Sequence, residues 1–140
     1  MATYTVTNAV SAIPAGSNAY LAQVVLDFST TALVAGTDVV QAIEVPANTL
    51  VVCAGIEVLT AGGATSVLDL GDTTVDRYVT DVDGNTAGAV EIGTASWLYA
   101  SADTIDLSAD TANFGGKVRV FAVLVPAGTA PTASAFAVPA

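Results

Sequence analysis

The chain of 140 residues contains no histidine, and its only basic side chains are Arg77, Lys117 and Arg119, against thirteen acidic ones. Without histidine, a serine or threonine nucleophile would depend on the single lysine or on a carboxylate as its base, and no motif supplies such a pair. Lys117 follows two glycines, but the segment lacks the first glycine and the final Ser or Thr of a phosphate-binding loop. The sequence therefore predicts no catalytic residues, no enzymatic activity and no bound cofactor.

The scarcity of cations also excludes two classes of partner. The formal net charge is -10 at pH 7, and three cations cannot form the basic surface that nucleic-acid binding requires. Anionic membranes are disfavoured for the same reason, and no apolar run approaches the ~18 residues needed to cross a bilayer. The first five residues lack the basic and apolar regions of a signal peptide, so we expect the chain to stay in the cytoplasm until an assembly carries it out.

Cysteine is nearly absent as well. Cys53 is the only one, which excludes an internal disulfide, and its apolar neighbours predict a small packed side chain rather than a reactive thiol. Zinc is implausible with one cysteine and no histidine. An acidic stretch offers hard oxygen ligands, so calcium is the alternative to solvated loop carboxylates, although no metal site is predicted. The oxygens belong to Asp72, Asp76, Asp81, Asp83 and Asn85.

The abundant residues favour β-structure. Valine outnumbers leucine and threonine is common, and β-branched side chains pack well on a pleated sheet. Apolar side chains alternate along residues 50–58, with Leu50, Val52 and Ala54 predicted on one buried face, and again along residues 118–124. Turn residues separate about eight such segments, a spacing typical of sandwiches and barrels. The sequence predicts an all-β, jelly-roll-like antiparallel β-sandwich with extended N- and C-terminal arms.

The two ends of the chain differ in composition from the middle. We predict an N-terminal arm at residues 1–20, a β-sandwich domain at 21–125 and a C-terminal arm at 126–140 that is rich in Pro, Ala and Thr. The alternative for the last segment is a disordered terminus. Phe136 and Val138 favour a tail that docks on a partner, because free linkers seldom carry aromatic residues.

Few side chains suggest specific contacts. Lys117 and Arg119 are two residues apart on one strand face, which is either a solvated face or an ion-pairing site for an acidic partner or a neighbouring copy. Trp97 and Tyr99 share a face opposite Leu98 and are predicted to be interface or core aromatics. Their alternative role is a stacking platform for a sugar, beside the acidic loop.

Two segments carry a family resemblance. The stretch from Leu68 to Val79, containing LDLGD and DRYV, and the stretch from Ala102 to Val120, containing ADTIDL and GKVRV, are similar to recurring elements of small virion proteins of tailed phages. Over residues 37–125 the chain thereby resembles capsid decoration, or cement, proteins.

The resemblance implies a structural protein that binds the outer surface of the assembled capsid and bridges capsomers. The implied partners are the major capsid protein and further copies of the chain, with a homotrimer favoured. The implied location is the virion, preceded by the host cytoplasm during assembly. A head-fibre or tail appendage and a small carbohydrate- or surface-binding module are the alternatives. The residues predicted at interfaces are Arg77, Trp97, Tyr99, Lys117, Arg119, Phe136 and Val138.

Overall fold

A computed structural model describes residues 19–127, which form nine β-strands. Within this range there is no helix long and apolar enough to span a membrane. Most of both predicted arms, including Phe136 and Val138, lies outside the described residues. The strands are β1 (Tyr20–Asp27), β2 (Val39–Val45), β3 (Thr49–Thr60), β4 (Val67–Gly71), β5 (Val79–Asp83), β6 (Val90–Ile92), β7 (Trp97–Tyr99), β8 (Asp103–Asp110) and β9 (Lys117–Pro126).

The strands form two antiparallel sheets. The five-stranded sheet has the order β1-β9-β3-β6, with β7 also paired to β3, and the four-stranded sheet has the order β2-β8-β4-β5. If β6 and β7 are counted together as one interrupted strand, this is the strand order of an eight-stranded jelly roll. The predicted all-β, jelly-roll-like sandwich is therefore confirmed.

The core lies between the two sheets and follows the period of two. In β9 the side chains of Val118, Val120, Ala122 and Leu124 are fully buried, while the alternate residues face outward. The opposite sheet contributes a matching buried row at Ile105 and Leu107 of β8 and at Leu68 and Leu70 of β4. Burial of each such aliphatic side chain stabilises the fold by about 1.5–3 kcal/mol.

The predicted inward face of β3 is wrong in its first part. The register shifts between Val51 and Cys53 where β3 pairs with β9, and this β-bulge reverses the alternation of side chains. Val51 is consequently buried, whereas Val52 is exposed and Leu50 lies outside the core. After the bulge, Ala54, Ile56 and Val58 point inward as predicted.

β9 pairs with one edge of β3, and β6 and β7 pair with the other edge. The chain along this second edge is interrupted between β6 and β7. The break begins at Gly93, whose N–H donates to the carbonyl of Ala54 at 2.8 Å. A Cβ atom on Gly93 would stand 1.9 Å from the carbonyl oxygen of Tyr78, so only glycine lets these two backbone segments approach this closely. The interruption fits the chain around Tyr78, a member of the network described below.

Both ends of the described chain lie at the same end of the sandwich. Thr49 pairs with Pro126 on one side and with Tyr99 on the other, and the N–H of Ala127 donates to the carbonyl of Asn48 at 2.7 Å. Tyr20, at the start of β1, pairs with Leu124 nearby. We call this the terminal end; it also carries the β4–β5 and β7–β8 connections.

Candidate functional site: a buried network and an outer sheet face

A buried carboxylate follows β4 directly at the terminal end. The side chain of Asp72 is 2% exposed, and its Oδ1 accepts a hydrogen bond from the N–H of Thr74 at 2.7 Å, which closes an Asx turn. Its Oδ2 accepts from Nε of Arg77 at 2.6 Å, and the same guanidinium donates to Oγ1 of Thr74 at 3.2 Å. The turn therefore holds Arg77 over the carboxylate as a charge-assisted pair.

Two tyrosines complete this network from separate parts of the chain. The hydroxyl of Tyr99, at the end of β7, donates to Oδ2 of Asp72 at 2.7 Å. The hydroxyl oxygens of Tyr78 and Tyr99 are 2.6 Å apart. Because Tyr99 directs its own proton to the carboxylate, Tyr78 is the donor in the contact between the two hydroxyls. The network ties the β4–β5 connection to β7.

The environment fixes the charge of each group in this network. Burial opposes ionisation of Asp72, but hydrogen bonds from Tyr99, from the N–H of Thr74 and from Arg77 outweigh it and lower the pKa of Asp72 below its ordinary 3.8. Burial raises the pKa of Tyr78 to about 12, and burial also raises the pKa of Tyr99. At neutral pH the network thus holds one carboxylate and two neutral phenols, an arrangement unsuited to general acid–base catalysis.

Arg77 also contacts Trp97. Its guanidinium carbon lies 3.7 Å from the centroid of the indole ring, a cation–π contact. Trp97 remains 46% exposed, whereas Tyr99 is only 4% exposed. The structure thus brings together three of the predicted interface residues, Arg77, Trp97 and Tyr99. It does not give Trp97 and Tyr99 a shared open platform on which a sugar could stack.

The other two cations lie on the outer face of the five-stranded sheet. Nζ of Lys117 is 3.3 Å from Oδ2 of Asp27 on the neighbouring β1. Nε of Arg119 is 3.2 Å from Oε2 of Glu57 on β3, although its N–H is not aligned with that oxygen and has no hydrogen-bond partner among the described residues. All three basic side chains of the sequence therefore have an acidic neighbour within the chain. Whether they also contact another copy stays a prediction.

The acidic stretch uses its carboxylates to close turns. Asp83 accepts hydrogen bonds from the N–H of Asn85 and from the hydroxyl of Thr86, and Asp72 is engaged by Arg77. Residues 19–127 contain no group of three or more acidic, cysteine or histidine side chains arranged to hold a metal ion. The calcium alternative therefore finds no ligand cluster in the part of the chain that the structure describes.

Charge divides the outer face of the five-stranded sheet into two halves. Pairing places Asp27 beside Lys117, and Arg119 beside Glu57, in the two rows far from the terminal end. The remaining rows carry no charged side chain. We call these rows the apolar half of the outer face; its residues are Leu21, Gln23, Leu50, Val52, Cys53, Gly55, Ile92, Leu98, Phe121, Val123 and Val125.

The ring of Phe121 covers the centre of this apolar half. Gly55 is buried beneath the ring of Phe121, because a Cβ atom on Gly55 would stand 2.5 Å from a ring carbon. Gln23 and Ile92 flank the pair from the neighbouring strands. A ring lying over a cross-strand glycine covers the backbone that the glycine would leave open. The ring of Phe121 thus places apolar surface over the backbone of Gly55.

The outer face of the four-stranded sheet has the opposite character. Register places Asp69 of β4 beside Ser108 of β8, Asp83 of β5 beside Val67, and Glu44 of β2 beside Thr104. Glu44 and Asp83 are exposed and Asp106 is half-buried, whereas Asp69 is buried and its Oδ1 accepts a hydrogen bond from the N–H of Asp81 at 2.8 Å. The sandwich is thus acidic on one outer face and largely apolar on half of the other.

Comparison with known proteins gives matches in fold. No family model matches the sequence, and no curated relative matches it. A chain from the capsid of Ralstonia phage GP4 aligns with a TM-score of 0.63 at 17% identity, covering 84% of this chain and 90% of that chain. A chain from the capsid asymmetric unit of cyanophage Pam1 aligns with a TM-score of 0.63 at 17% identity, covering 89% and 99%. A chain from the acidic stable capsid of Helicobacter pylori bacteriophage KHP30 aligns with a TM-score of 0.56 at 19% identity, covering 76% and 85%.

The buried network and the apolar half of the outer face are not predicted from the sequence. The role of Asp72 is signalled locally by Asp72-Thr73-Thr74, a common Asx-turn pattern, with an arginine soon after. Tyr78 has no such signal, because its partner Tyr99 is 21 residues away. The apolar half was hidden because the bulge in β3 moves Leu50 and Val52 to the outer face.

Proposed function

We propose that this chain is a structural, non-enzymatic component of a tailed-phage capsid that decorates the outer surface of the assembled shell and bridges capsomers. The partners are the major capsid protein and further copies of the chain, with a trimer favoured. The protein resides in the host cytoplasm during assembly and in the virion afterwards.

The observation that carries this proposal is the jelly-roll match to chains of three phage capsid structures. The alignments cover most of each of those chains, up to 99% of the chain in the Pam1 capsid, so the shared unit is the whole domain rather than a fragment. The family resemblance of residues 37–125, noticed in segments of sequence, points to the same class independently.

The surface chemistry supports the proposal. A decoration protein must stay soluble before its lattice exists, and a net charge of -10 opposes random association. A ligand that binds only the assembled lattice stabilises that lattice by mass action. Many weak contacts repeated by symmetry supply the affinity, so attachment to a lattice requires no deep cleft.

Cryo-electron microscopy of the virion tests the proposal. We expect jelly-roll density for this chain on the outer surface of the head, at three-fold or quasi-three-fold positions between capsomers. Density confined to the tail or to a head fibre would overturn the decoration role in favour of an appendage. A glycan-array screen tests the carbohydrate-binding alternative, for which the buried Tyr99 leaves only Trp97 as an exposed stacking ring; we expect no binding.

A further inference from the structure

We infer that the apolar half of the outer face is the surface through which copies of this chain contact one another. The assignment rests on the proposed function, which includes a homo-oligomer, and goes beyond it by naming the residues that form the contact.

Continuity is the first argument. Pairing places Val125, Leu50 and Leu98 in one row across β9, β3 and β7. The next row contains Leu21 and Val123, with Cys53 beside them. Leu21, Val52, Ile92 and Leu98 are all exposed. Contiguous apolar area of this kind is uncommon on a monomer and marks an interaction site.

The distribution of charge indicates which partner covers the apolar half. Two copies with a formal charge of -10 each repel one another, so close approach costs least free energy where local charge is absent. The apolar half has no charged side chain, whereas the outer face of the four-stranded sheet carries Glu44, Asp69, Asp83 and Asp106. Contact between apolar halves turns the acidic faces away from each other. A second copy is the partner whose charge this arrangement fits.

Salt dependence separates this surface from an interface of ion pairs. Each cation already has an acidic neighbour within its own chain. Salt screens the repulsion between two acidic copies and leaves apolar contact intact. Association through the apolar half should therefore strengthen as salt rises, whereas an interface held by Arg77, Lys117 or Arg119 should weaken.

Sedimentation velocity of the full chain tests the inference. We expect concentration-dependent self-association that is tighter in 500 mM than in 20 mM NaCl. Leu98→Glu and Val52→Glu should each weaken it at least tenfold. The matched controls are Val39→Glu in β2 and Val75→Glu in the β4–β5 connection, because both valines are about as exposed as Leu98 and more exposed than Val52 but lie away from this face. These controls should associate like the wild type, and circular dichroism verifies that every variant is folded.

Alkylation of Cys53 gives a second readout. This single cysteine lies in the apolar half, so its reaction with a maleimide should slow as the protein concentration rises. A monomer at all concentrations and salts, or an equal loss of association in the Val39 and Val75 variants, would overturn the inference. A solution monomer that still occupies the capsid surface overturns this contact alone. Self-association through this face without density on the head overturns the proposed function alone.

Discussion

Asp72 is a buried carboxylate whose negative charge is balanced by Arg77, one of three basic side chains in the sequence. The stability of the fold therefore depends on this ion pair. Asp72→Asn keeps the shape of the side chain but leaves Arg77 without a negative partner. Breaking a buried ion pair by removing one member costs about 3–5 kcal/mol, so we expect a loss of this size in the free energy of unfolding, measured by urea denaturation. The control is Asp27→Asn at the exposed pair with Lys117, where we expect little change. Equal effects at both sites would contradict the structural role of the network.

The lowered pKa of Asp72 predicts sensitivity to acid. A carboxylate whose pKa is lower in the folded than in the unfolded state stabilises the fold above its unfolded pKa, here 3.8, and this contribution disappears as pH falls through the folded pKa. Asp106 acts in the opposite direction, because burial raises its pKa. We expect the unfolding free energy to fall below pH 4 in the wild type and to fall less steeply in Asp72→Asn. Parallel pH profiles for the two proteins would rule out this contribution.

Tyr78 predicts a loss of stability in base. Its pKa rises from 10.0 to about 12 in the folded state because the phenol is buried. Above pH 10 the unfolded chain releases this proton while the folded chain still holds it, so stability falls between pH 10 and 12. The shift corresponds to about 2–3 kcal/mol. Tyr78→Phe should be less stable at pH 8 but should lose less between pH 10 and 12, in denaturation curves compared at each pH.

At the level of elements, the interruption between β6 and β7 is required by the close approach of Gly93 to Tyr78. Gly93→Ala places a methyl group 1.9 Å from the carbonyl oxygen of Tyr78, so backbone must move. Overpacking of this kind costs about 1–3 kcal/mol, seen as a lower melting temperature. Gly115→Ala is the control, because the nearest atom to its added Cβ would be 3.6 Å away. A Gly93 variant as stable as the control would show that the break has another cause.

The strands show which parts of the fold can be predicted from the sequence. β9 alternates without interruption through its buried row, so its inward face was predicted correctly from Val118 to Leu124. β3 carries a bulge after Val51, and a one-residue shift reverses every side chain before it. A bulge depends on pairing with β9, which lies far away in sequence. The contact between Asp72 and Tyr99 likewise joins residues that are 27 positions apart in the sequence. The sequence therefore predicts Arg77, Trp97 and Tyr99 as separate interface residues and not as one cluster.

At the level of the whole molecule, the two outer faces differ in what they can approach. The acidic outer face of the four-stranded sheet repels nucleic acid and other copies of the chain, while the apolar half of the five-stranded sheet gains free energy when it is covered. In the proposed role, this polarity suits a protein that contacts its neighbours through one sheet and keeps the acidic face of the other sheet away from them.

The C-terminal segment gives a prediction that separates folding from attachment. β9 ends at Pro126, and the N–H of Ala127 donates to Asn48, so truncation after Ala127 removes 13 residues without removing any hydrogen bond among the described residues. We expect an unchanged melting temperature for this truncation. If Phe136 and Val138 dock on the shell or on a neighbouring copy, occupancy on particles should fall, as measured by densitometry of purified virions mixed with each protein. Replacement of both residues by serine in the full-length chain is the matched variant, since it keeps the length of the tail while removing its apolar contacts. Full occupancy with both variants would show that attachment depends on the sandwich alone.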